Sequence, residues 1–207
     1  TNGSGDATFS ADLAATVNVG DSVSSTATST TGDTSEFSNN VLVLTPNPVL
    51  DLDGNNSSGP TGSDFATTFV EDGTAVTIAD SDAVLYDPDS STLAGLTVTI
   101  TNIADGAAEQ LTFDTTGTAI TGSYNAGVLT LSGADLEANY LQVLTTIRYS
   151  NTAQNPTTGI RQITVSASDG SLTSNLATAH VTVQAINDAP VINAATLTLQ
   201  EGQSIVL

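Results

Sequence analysis

The chain has 207 residues, 39% of them hydrophobic, no cysteine, and 22 acidic against 2 basic side chains, for a net charge of -20. That length and hydrophobic content suffice for one or two domains with cores of their own. The charge excludes electrostatic binding to nucleic acid or to an anionic membrane surface, and no disulfide can staple the fold.

The apolar residues are mostly Val, Leu, Ile and Ala, and Thr is abundant. Branching at Cβ favours strands, and Gly, Asn, Asp and Ser break the pattern at short intervals, so an all-β fold is expected. Residues 1–45 read as three or four strands: Ala7 to Leu13, Val17 to Val19, Val23 to Thr30 and Ser38 to Thr45. That is too few for a two-sheet sandwich with its own core. The stretch from Ala27 to Ser38 resembles the end of an Ig-like repeat of large bacterial surface proteins, which implies that residues 1–45 are the C-terminal part of such a β-domain. The first residues carry no signal-peptide pattern, and the chain reads as an internal segment of something longer.

Residues 46–63 read as a linker, because Pro46, Pro48, Gly54, Gly59, Pro60 and Gly62 interrupt any ladder. Within it, Asp51-Leu52-Asp53-Gly54-Asn55-Asn56-Ser57 spaces oxygens like the start of an EF-hand loop. Its twelfth position is Gly62 and not Glu. Two readings stay open: a looser calcium loop completed by Asp64, or a solvated Asx-turn.

Residues 64–187 read as one complete domain. Strands are expected at Phe65–Val70, Ala75–Ala79, Val84–Tyr86, Leu96–Ile103, Gln110–Phe113, Ala119–Tyr124, Gly127–Leu131, Thr145–Ser150, Ile160–Ser168 and Ser174–Ile186. In Leu96–Ile103, Leu96, Val98 and Ile100 share one face and Thr97, Thr99 and Thr101 the other. Leu136, Tyr140, Val143 and Leu144 fall at helical spacing, and Ser132 with Asp135 resembles an N-cap, so one short helix is expected over 132–144. Asn187-Asp188-Ala189-Pro190 marks a seam, since proline cannot donate to a sheet. Residues 188–207 read as that seam and the first strand of a further copy, with Glu201-Gly202 repeating Glu71-Asp72-Gly73.

Acids recur at the expected strand ends: Glu71, Asp87 with Asp89, Asp169, Asn187 with Asp188, and Glu201. A hard cation such as calcium takes six to eight oxygens, and only several loops gathered at one end of a sandwich supply so many. The Glu-Gly turn, Asp87-Pro88-Asp89, Asp169-Gly170 and Asn187-Asp188-Ala189-Pro190 resemble the corresponding elements of cadherin-like repeats in bacterial giant adhesins. The resemblance implies an Ig/cadherin-like Greek-key sandwich. It implies calcium ligands at Glu71, Asp87, Asp89 and Asp169, with Asn187, Asp188 and Glu201 serving the next seam. The chain departs from cadherins in lacking a second Asn after Asp188 and an Asp-Arg-Glu motif, and in carrying the helical insert.

The expected function is that of a calcium-stabilised extension repeat of a secreted bacterial adhesin at the cell surface, its partners being neighbouring repeats of the same chain. Two alternatives are a carbohydrate-binding module, for which Tyr86, Tyr124, Tyr140 and Tyr149 are the only tyrosines available, and a filament subunit completed by strand exchange with like chains. An enzyme is not expected: the one histidine, His180, falls inside a strand pattern, and no Gly-x-Ser-x-Gly elbow is present.

Overall fold

The computed structural model describes residues 41–189 continuously, together with Val17, 20–26, Thr28, 30–32, Thr34 and Asn39. The expected strands at 7–13 and 191–207, with Pro190 and Glu201, lie outside the described residues. In chain order the strands are β1 (Ser22–Val23), β2 (Val41–Leu42), β3 (Val49–Asp51), β4 (Phe65–Val70), β5 (Val76–Thr77), β6 (Val84–Tyr86), β7 (Thr92–Ile100), β8 (Glu109–Thr112), β9 (Thr121–Asn125), β10 (Val128–Leu136), β11 (Arg148–Asn151), β12 (Gly159–Ser168) and β13 (Ala177–Gln184). One helix, α1 (Glu137–Thr146), separates β10 from β11.

The pairing gives a six-stranded sheet ordered β4-β13-β12-β7-β10-β9 and a three-stranded sheet ordered β5-β11-β8, while β3 pairs with β6 and β1 with β2. All pairings are antiparallel except that of the edge strand β4, which runs parallel to β13. Period-two alternation sets which residues face inward. Leu96, Val98 and Ile100 are buried on β7 as expected, and Arg161, Ile163, Val165 and Ala167 line the same side of β12. Opposite them, Tyr149 of β11 meets Phe69 of β4 edge-to-face, ring centroids 5.6 Å apart. Helix α1 closes the core with Tyr140, Val143 and Leu144, all fully buried.

Two expectations are corrected. Residues 46–63 are not a free linker: Val49–Asp51 pairs with Val84–Tyr86, and Leu50 and Leu52 are fully buried in the core. Pro46 and Pro48 precede the strand and Pro60 follows it, so none removes a ladder donor from it. The helix starts at Glu137 and not near Ser132. Ser132 is a strand residue paired with both Gly95 and Thr121, and Leu136 takes the N-cap position with no side-chain capping bond. Pairing with strands on both sides prevails over a local capping signal. Among the described residues no helix is long and apolar enough to cross a membrane.

Leu52→Ala tests the first correction. It is expected to lower stability in urea unfolding by about 2–5 kcal/mol, as for a core position, against roughly 0.5 kcal/mol or less for a residue on a loose surface linker.

Candidate metal sites

The register of β12 sets the distance between the two groups of acids. Gly159, at its start, pairs with Val183, close to Gln184, whose carbonyl accepts the Glu71 N–H at 2.8 Å. Ser168, at its end, leads directly into Asp169 and pairs with Gly95 near the start of β7, which follows Asp87 and Asp89. The nine steps from Gly159 to Ser168 span ~30 Å at the rise of a strand. Asp87, Asp89 and Asp169 therefore occupy one end of the domain, and Glu71 with Asn187 and Asp188 the other.

At the first end, Asp87 is 6% exposed. Its Oδ1 accepts the Asp89 N–H at 3.3 Å, and its Oδ2 is buried with no partner. Burial first, then the Asp89 carboxyl and the charge of Asp169, push the Asp87 carboxyl above its usual range. Asp169 is held below that range by the N–H groups of Leu172 and Ser171, 2.7 and 2.6 Å from its Oδ1. Gly170, at φ +101°, makes this turn possible. Asp169 is thus a turn former, and its negative charge also faces Asp87. Glu137, which sequence reasoning missed, accepts the Asp87 backbone N–H through Oε1. No local signal marks it, because the two residues lie 50 positions apart.

At the second end, Glu71 is 1% exposed. Its Oε2 accepts the Ile186 N–H at 2.8 Å, and its Oε1 is buried without a partner. Asn187 and Asp188 follow at once and are exposed.

A third group lies where β3 and β6 diverge. Ligand atoms of Asp53, Asp80 and Asp82 lie within 4.8 Å of one another, and among the described residues no other three acids, those of the two ends included, gather so closely. A Cβ at Gly54 would sit 2.8 Å from the Asp82 carbonyl oxygen, so glycine is needed for this approach. Donors from Ser58 and Ser57 hold the Asp53 carboxyl below its usual range, while Asp82 Oδ1 is buried and unpartnered. Asp51 bonds the Asp53 N–H at 3.0 Å, an Asx-turn contact. Asp64 is engaged elsewhere, accepting the Thr178 N–H at 2.8 Å and facing His180 Nε2 at 3.6 Å. Asp80 and Asp82, not Asp64, join Asp53. Asp80-Ser81-Asp82 stands out in the sequence, but its approach to Asp53 depends on the β3–β6 pairing.

Arg161 is the described cation buried in the core. Its Nε lies 2.8 Å from Glu109 Oε1 and its NH2 group 3.2 Å from Asp105 Oδ2. Burial pushes the Asp105 carboxyl up, but the Thr157 hydroxyl, the Asn151 amide, the Thr157 N–H and the Arg161 charge together hold it below its usual range. This group is a structural clasp between β12 and the 105–109 turn.

Comparisons with known protein families, with curated proteins and with solved structures returned no match.

Arg161→Ala would leave Glu109 and Asp105 without their cation, and chemical denaturation should register a loss of about 3–5 kcal/mol. Asp87→Asn should have the opposite effect in chelator. A carboxyl whose folded pKa is raised costs stability once ionised, so the variant should be more stable than the parent at pH 7. That advantage should shrink as pH falls through the Asp87 titration, where the parent carboxyl becomes neutral as well. Paired thermal melts across pH in EDTA measure it.

Proposed function

We propose that this chain is a calcium-stiffened spacer, a cadherin-like extension repeat of an extracellular bacterial adhesin. The observation that carries the reading is a buried, unpartnered carboxylate oxygen at each end of the domain: Asp87 Oδ2 at one and Glu71 Oε1 at the other. Such an atom costs about 1–3 kcal/mol unless something bonds to it, and it lies among other acids with no lysine in the chain to reach it. A hard cation answers both problems, because it supplies charge and accepts several oxygens. Asp87, Asp89 and Asp169 would hold one ion; Glu71, Asn187 and Asp188 would contribute to another at the seam. All six offer hard oxygens, the donor type such an ion takes.

The path of the chain supports a serial role. Asn47, just before β3, donates to the Thr173 carbonyl at 2.7 Å, at the Asp169 end, and the chain leaves past Ile186 at the Glu71 end. A domain entered at one end and left at the other extends a fibre, and a cation at each junction removes hinge freedom. The order of the six-stranded sheet, with its first strand beside its last, is compatible with the Ig/cadherin-like sandwich. The β9–β10 hairpin and α1 are then insertions in that plan.

A thermal melt in EDTA and across a calcium titration, with magnesium as control, tests the proposal. At free calcium 100 times Kd, each site selective for the folded state adds about 2.7 kcal/mol. For a chain of this size that is a rise of about 5–10 °C in Tm. Magnesium, which demands tighter octahedral coordination, should do much less. The Asp87→Asn/Asp89→Asn double variant should lose one site's share of the rise. Identical melts in calcium and in EDTA would sink the reading.

A further inference from the structure

The segment after β3 and the turn before β6 bring three carboxylates to one point. Ligand oxygens of Asp53, Asp80 and Asp82 all lie within 4.8 Å of one another. Two oxygens bound to one calcium at about 2.3–2.6 Å can stand no more than about 4.6–5.2 Å apart, so the three can share an ion. Two further observations show that the protein does not satisfy this group by itself. Asp82 Oδ1 is buried with nothing bonded to it. The two oxygens of a carboxylate are so close that this atom lies at or beside the point of convergence. Ser57 Oγ lies 3.0 Å from Asp80 Oδ2 and 3.4 Å from Asp53 Oδ1, yet a hydroxyl has one proton and serves only one of them. Among the described residues the ion pairs involve Asp105, Glu109 and Asp64, and none involves these three acids. The group is nevertheless held in place. Asp53 is fully buried, its carboxylate bonded by the Ser57 and Ser58 N–H groups at 3.0 and 2.7 Å, and the Asp80 N–H donates to the Leu52 carbonyl at 2.8 Å.

We infer that Asp53, Asp80 and Asp82 hold a calcium ion on the side of the domain, with waters completing its shell. The ion bonds to the orphaned Asp82 oxygen and offsets the repulsion of three crowded carboxylates. Its place in the register gives it a structural task. The β3–β6 ladder ends at the Asp51–Val84 pair, and Asp53 and Asp82 each lie two residues beyond that pair. An ion between them closes the ribbon where its hydrogen bonds stop, and so fastens a segment rich in proline and glycine onto the core. The site uses none of the acids at either end of the domain, so it stands or falls apart from the fibre reading.

Asp82→Asn and Asp80→Asn, each in the full chain, test the site against the Asp87→Asn/Asp89→Asn double variant. Calcium binding is read by isothermal titration of EDTA-stripped protein, and its location by amide hydrogen exchange. In the parent, calcium should slow exchange at Ser57 and Ser58. Both single variants should lose that protection and weaken one binding step by about tenfold or more, because ligand charge sets affinity. The double variant should keep both. In EDTA, Asp82→Asn should melt no lower than the parent, since removing one of three crowded charges relieves repulsion; in calcium it should melt lower. Parental binding and protection in Asp82→Asn and Asp80→Asn would overturn the inference, as would an Asp82→Asn chain that melts below the parent in EDTA, which would make Asp82 a residue of the fold alone. Calcium binding that disappears only in the double variant overturns this inference and leaves the end sites standing. Binding that survives the double variant and disappears in Asp82→Asn supports it and removes the Asp87 end from the fibre reading. A parent that binds no calcium overturns both.

Discussion

The shortage of cations governs how this molecule is arranged. With 22 acids and two arginines, and with Arg161 committed to Asp105 and Glu109, the remaining carboxylates must find other partners. Among the described residues most find backbone N–H groups. Asp53 takes those of Ser57 and Ser58, Asp64 that of Thr178, Asp114 that of Thr116, and Asp135 those of Leu136 and Ala119. Each such bond stabilises a turn or a strand end, so the acids hold the loops in shape. The solution is incomplete at Glu71, Asp82 and Asp87, and at the second oxygen of the Arg161-paired Glu109, where a carboxylate oxygen is buried with nothing bonded to it. Native interiors rarely leave such atoms without an explanation.

Two of these atoms lie at opposite ends of the long strand β12. Its Arg161 belongs to the buried clasp near one end, and its last residue leads into Asp169 at the other. The sheet therefore holds two charged ends ~30 Å apart. Self-repulsion across such ends weakens a metal-free chain, and divalent cations would convert that repulsion into attachment. The third group, around Asp53, ties β3 to the turn before β6 and so guards the side of the domain and not a junction.

The residue pattern by itself determined the strands and their faces. Cβ branching and period-two alternation are local properties, so Leu96, Val98 and Ile100 could be placed inward, and the Asp169-Gly170 turn located, before any contact was known. The acids of the two ends were legible as turn residues because each sits in its own turn motif. Only the tertiary structure decided which of them meet. Asp53 joins Asp80 and Asp82 through the β3–β6 pairing, in a segment whose prolines and glycines imitate a linker. Ser132 is drawn into a strand by partners on both sides in spite of its capping spacing. Glu137 reaches Asp87 across 50 positions. Such pairings depend on sheet order and register, which arise from the shared core that all the strands bury together, and no short window of sequence contains that information.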